Sequence, residues 1–147
     1  QNRFEGVKYN GSMTTREIAA AIRKDIKEAK QRGVLPKTLK VSVKSKSFSG
    51  GSSIDAYITA LPEGVQLYTP EYIAATNNLN QPVPRDYGPR PQVYTGQVKH
   101  CLDTIEEIVK AYHMDNSDSM TDYFHVNFYE HVGIYWELES EFRKTLQ

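Results

Sequence analysis

The clearest hydrophobic rhythm in the chain begins at Thr14. Ile18, Ala21, Ile22, Ile26 and Ala29 recur at three- and four-residue steps, which puts them on one face of a helix. Arg16, Arg23, Lys24, Lys27 and Lys30 fall on the opposite face. Thr14 and Glu17 have capping-box spacing, which satisfies two N–H groups at the helix start, and Gly33 with Pro36 supplies the stop. From Leu39 to Lys44 the period changes to two, the mark of a half-buried strand with a lysine-rich outer face. Ser47–Ser53 reads as a flexible turn, and the strand after it directs Ile54, Ala56, Ile58 and Ala60 inward and Asp55, Tyr57 and Thr59 outward.

A short helix is expected around Tyr72–Ala75 with Pro70 in its first turn. Residues 77–92 carry Pro82, Pro84, Pro89 and Pro91, so they read as an excursion and not as an internal element. A second amphipathic helix is expected over Gln97–Tyr112, with Val98, Leu102, Ile105, Val109 and Tyr112 as its stripe. After a polar turn, Phe124, Val126 and Phe128 alternate with polar positions, then Val132, Ile134, Trp136 and Leu138 do so again. That pattern predicts a second hairpin turning near Glu130-His131, and then a helical or frayed tail. The predicted fold is α+β in the order αββ-loop-αββ. It is a two-layer sandwich in which two hairpins form one antiparallel sheet with both helices on one face.

At 147 residues the chain has the size of one domain, with residues 1–13 as a leader. Gly11-Ser12-Met13 reads as the join of an added segment; alternatively Phe4, Val7 and Tyr9 form a native stretch pairing at a sheet edge. With no run of eighteen apolar residues and no opening apolar h-region, neither a transmembrane helix nor a signal peptide is expected. Cys101 is the single cysteine, so no internal disulfide forms and a reducing compartment is expected.

Net charge is zero but unevenly placed. Residues 1–50 hold twelve Lys/Arg against four acids, and residues 101–147 hold three against ten. If the two halves are neighbours in one sheet, the imbalance cancels across their seam or drives a head-to-tail homodimer.

Ser49, Gly50 and Gly51, beside Lys40, Lys44 and Lys46, offer backbone N–H groups to an anion, although an ordinary hairpin turn explains the same residues. The basic helix and lysine strand suit sequence-independent nucleic-acid contact, with Phe48 and Tyr57 near enough to stack on bases. Asp115, Asp118 and Asp122 lack calcium-loop spacing and read as turn residues; no metal and no cofactor are expected. His125 and His131 can approach each other across the second hairpin, and Cys101 reads as a small semi-buried residue. A hydrolase would need Asp122, His125 and a nucleophile to converge. The ten tyrosines suit either partner contact or covering of the second sheet face.

Three stretches, Thr15–Lys27, Lys40–Asp55 and Asn116–Tyr129, resemble the small α+β domains associated with large polyvalent proteins of phages, prophages and conjugative elements. Lys40–Asp55, a strand followed by Ser-x-Ser-Gly-Gly-Ser-Ser-Ile-Asp, is the most specific. The resemblance implies a non-enzymatic accessory module of a bacterial mobile element, in one form acting against host defence by binding a macromolecule. It carries no catalytic residue. The implied compartment is the bacterial cytoplasm. A host or phage protein is the expected partner, nucleic acid the rival, and a membrane is not expected. The candidate contact residues are Lys40, Lys44, Lys46, Ser49, Gly50, Gly51 and Asp55, with Asp118, Asp122 and Tyr123 as a second patch.

Overall fold

The computed structural model describes residues 3–79, 92–117 and 126–145, except the side chains of 77–79, and among them is mixed α+β, with four helices and two small sheets. In chain order the elements are β1 (Phe4–Glu5), α1 (Thr15–Gln31), β2 (Lys40–Phe48), β3 (Gly51–Ala60), α2 (Pro70–Leu79), α3 (Gly96–Lys110), β4 (Met114–Asp115), β5 (Tyr129–Ile134) and α4 (Trp136–Lys144).

Helix α1 forms where its local signals place it. The Thr14 hydroxyl accepts from the Glu17 N–H, and the Glu17 carboxylate accepts from the Thr14 N–H. The Glu17 carboxyl is held below its usual range, first by that backbone donor. Ile18, Ala19, Ile22, Ile26 and Ala29 are buried, and each large aliphatic side chain contributes about 1.5–3 kcal/mol. Gly33, at φ +79°, lies just past the C-cap.

Strands β2 and β3 form the expected antiparallel hairpin, longer than the sequence suggested. Both strands run into the Ser47–Ser53 stretch: Phe48 pairs with Gly51, leaving Ser49-Gly50 as the turn, and Gly50 takes φ +93°. Helix α1 packs on β2 and β3, and α3 packs on β5 and α1. Ile22, Ile54, Ile58, Val98, Ile105 and Val109 are all fully buried in the core between them.

The second hairpin is corrected by the structure. Strand β5 runs parallel to β3, from Ser53↔Tyr129 to Ile58↔Ile134, so the three-stranded sheet is mixed, in the order β2-β3-β5. Glu130-His131 is strand and not turn, and Trp136 and Leu138 open helix α4. Two physical facts explain this. The chain between β3 and β5 contains α3, and a helical crossover delivers a strand in parallel. Leu138 and Phe142 also lie one helical turn apart, with Glu137 and Glu139 in the first turn of α4 and Arg143 and Lys144 in its last, which complements the helix dipole.

Two further contacts organise the frame. Tyr68 and Tyr94 form an antiparallel bridge and stack at 6.2 Å, so the chain that leaves through α2 returns to the same place. The Tyr94 hydroxyl donates to Glu139 at 2.7 Å, which ties α4 to this point; burial first, then the carboxylate, pushes the phenol up. At the other end, β1 pairs with β4 as a separate two-stranded sheet. From this leading segment Lys8 reaches Asp25 at 2.9 Å, and the Tyr112 hydroxyl donates to the same carboxylate at 2.6 Å.

Burial opposes ionisation of Asp25, yet the Tyr112 and Lys8 hydrogen bonds outweigh it and hold the carboxyl below its ordinary value. Burial, and then Asp25, pushes the Tyr112 phenol up. The depressed carboxyl contributes stability above about pH 4 that is lost as pH falls through its folded value. The raised phenol contributes stability below about pH 10 that is lost as pH rises through its folded value. Urea titrations across pH are therefore expected to show Tyr112→Phe flattening the alkaline limb and Asp25→Asn the acid limb. Unchanged limbs would refute the coupling.

Candidate functional site

The outward face of the three-stranded sheet gathers the chemistry. Alternation along β2 places Ser42, Lys44, Lys46 and Phe48 on this face. The registers set them beside Gly51, Ser53, Asp55 and Tyr57 of β3, and beyond these Tyr129, His131 and Gly133 of β5. The opposite face, with Val43, Ile54, Ala56 and Ile58, belongs to the core.

Asp55 sits at the centre. Its side chain is only 11% exposed. Lys46 Nζ lies 3.2 Å from one carboxylate oxygen, and His131 Nδ1 lies 2.8 Å from the other. The His131 ring turns its Nδ1 edge to the carboxylate. Asp55 thus acts as an anchor, positioning one lysine and one histidine that are themselves well exposed. Lys44, also exposed, makes no ion pair among the described residues.

Towards the hairpin end, Phe48 and Tyr129 form an exposed ring pair, with centroids 6.1 Å apart and planes 26° from parallel. The rings meet over Gly51. A Cβ there would come within 3.3 Å of both rings, so the glycine lets them close on the strand. At the other end, the Tyr57 ring lies against Gly133. The hairpin tip is tied down from behind, where Ser52 Oγ meets Thr15 Oγ1 at 2.7 Å and donates to the Asn127 carbonyl at 3.4 Å.

Of the residues expected from sequence, Lys44, Lys46 and Asp55 meet on this face, Gly51 underlies its rings, Ser49 and Gly50 make the adjoining turn, and Lys40 opens β2 beside a register shift. Asp118, Asp122 and Tyr123, and with them His125, lie outside the described residues, as do residues 80–91 of the expected excursion 77–92, whose first three residues instead belong to α2. His131 and Tyr129 are additions. His131 was expected to face His125 across a hairpin, and instead pairs with Asp55 from a parallel strand. The signal available for both residues was the Tyr129-x-His131-x-Gly133 alternation following a helical crossover.

Among the described residues, Lys8–Asp25 and Lys46–Asp55 stay within the first half of the chain, and Lys110–Glu106 within the second. The Asp55–His131 contact crosses between them. Tyr68, Tyr72 and Tyr94 pack together, while Tyr57 and Tyr129 stand on the sheet face.

A separate apolar groove of about 590 Å³ lies between the α1–β2 connection and the start of α3, lined by Val34, Pro36, Leu61, Val98 and Cys101 among others. Cys101 is buried there, and burial pushes its thiol up, which keeps it protonated and poorly nucleophilic. No protein-family model, curated protein or solved structure matches the chain.

Proposed function

We propose that this chain is a non-enzymatic interaction module that binds a macromolecule through the outward face of its three-stranded sheet, with α1 and α3 forming the supporting layer behind. The observation that carries this reading is the exposed Phe48–Tyr129 ring pair beside Lys46, built over a glycine and anchored next to a buried carboxylate. Exposed aromatic rings on a rigid sheet lose little entropy on binding and bury much area, as contact residues do. Lys44 and Lys46 give the same surface a basic character suited to an anionic partner. The resemblance of Lys40–Asp55 to polyvalent-protein domains supports a mobile-element accessory role in the bacterial cytoplasm, since that segment supplies β2, the hairpin turn and the first half of β3.

The test is capture from a bacterial lysate on the immobilised chain. Reversal of Lys40, Lys44 and Lys46 to glutamate is expected to remove most of the retained material. Retention that ignores the reversal returns these lysines to the status of a solvated face.

A further inference from the structure

We infer that the partner of this sheet face is single-stranded nucleic acid, bound without sequence preference; the inference rests on the reading of the face as the contact surface.

Four features of the face converge on that ligand. First, Phe48 and Tyr129 are 50% and 42% exposed, so each offers ring surface to an incoming planar group. Bases present such a group, and stacking on aromatic side chains is the general means of holding unpaired ones. Second, the cations lie on the same face as the rings. Lys46, 65% exposed, and Lys44 lie along β2 from Phe48. A strand whose bases stack on the rings therefore has its phosphates beside ammonium groups. Third, the carboxylate on this face is set back, since the Asp55 side chain is only 11% exposed and paired with Lys46, which leaves Lys44 as the lysine of this face with no ion pair among the described residues. Fourth, Tyr57 on Gly133 adds a further ring, four residues along β5 from Tyr129.

A duplex does not fit this arrangement. Its base faces are closed to stacking, and its grooves admit a helix or a narrow ribbon, not the flat of a three-stranded sheet. Stacking and phosphate contact read no base edges, hence the lack of sequence preference. The basic face of α1 is the rival surface within the molecule, and it carries no exposed ring pair.

The experiment titrates the full chain into a short fluorescein-labelled oligothymidine at low salt, followed by anisotropy, with circular dichroism confirming that each variant is folded. Saturable binding is expected, weakening as salt rises. Phe48→Ala and Tyr129→Ala are each expected to lower affinity about tenfold, with Phe48→Tyr retaining it. Lys44→Glu is expected to lower both affinity and the salt slope. Binding that is absent, indifferent to the ring substitutions, or equal for a matched duplex and lost on reversing Lys24 and Lys27 of α1 overturns the inference. Lysate capture after nuclease treatment, with the same ring variants, separates the two levels. If oligothymidine fails while ring-dependent protein capture persists, the nucleic-acid inference falls and the interaction reading stands. If capture also ignores the rings, both fall.

Discussion

Replacing Gly6 by valine is expected to detach the leading strand and cost the fold about 2–4 kcal/mol. Gly6 passes so close to the end of α3 that a Cβ would lie 2.2 Å from the Lys110 carbonyl oxygen and 2.4 Å from that of Ala111. Both obstacles are backbone, so no rotamer change relieves them. The chain must lift away, and several contacts go together. The Gly6 N–H donates to the His113 carbonyl at 2.8 Å and the Lys8 N–H to the Ala111 carbonyl at 2.7 Å. Phe4 lies against the His113 ring, and Lys8 holds Asp25. Chemical denaturation measures the loss, and amide exchange locates it: the Gly6 and Lys8 amides should exchange quickly while the β2–β3 hairpin stays protected. Wild-type stability in the valine variant would mean that the leading segment is not docked as described.

Asn127→Ala is expected to be comparably damaging, at about 2–4 kcal/mol, although it removes no apolar surface of consequence. The Asn127 amide works as a clasp. Its Oδ1 accepts from the Met114 N–H and its Nδ2 donates to the Tyr112 carbonyl, both at 2.8 Å. Its own backbone N–H donates to the Met114 carbonyl at 3.2 Å. One side chain thereby satisfies backbone groups where the chain leaves α3 and fixes the entry to β5. Alanine leaves a donor and an acceptor unpaired in a part-buried place, and the cost of such orphans exceeds the worth of the bonds. Asn127→Asp is the sharper comparison, since it keeps the acceptor for Met114 but sets a carboxylate oxygen against the Tyr112 carbonyl. Thermal unfolding should rank wild type above both. An alanine variant within experimental error of wild type would remove the clasp from the account.

What the sequence disclosed depended on how local each signal was. The start, buried stripe and stop of α1 are encoded within twenty residues, and the structure reproduces them down to the reciprocal Thr14–Glu17 bonds. The β2–β3 hairpin is equally local, and with it came Lys44, Lys46, Gly51 and Asp55. The neighbour on the far side of β3 was not legible. Val132 and Ile134 alternate in the same way whether β5 returns antiparallel from a turn or arrives in parallel after α3. Periodicity fixes which face a residue takes and not which strand lies alongside. His131 and Tyr129 were therefore missed as partners of Asp55 and Phe48, more than seventy residues away. Trp136 and Leu138 misled for a related reason: a two-residue step fits a strand, while the four-residue step from Leu138 to Phe142 fits the helix that forms.

The central claim is that the molecule meets its partner with the sheet face and not with the basic helix. The most direct measurement is a paired capture from one lysate, in which Lys44 and Lys46 are reversed to glutamate in one variant and Lys24 and Lys27 of α1 in another. Each replaces two positive charges with two negative ones, so net charge is matched and only location differs. Loss of the retained material with the sheet variant and its persistence with the helix variant is the predicted result. Equal loss from both, or loss from the helix variant alone, would contradict it.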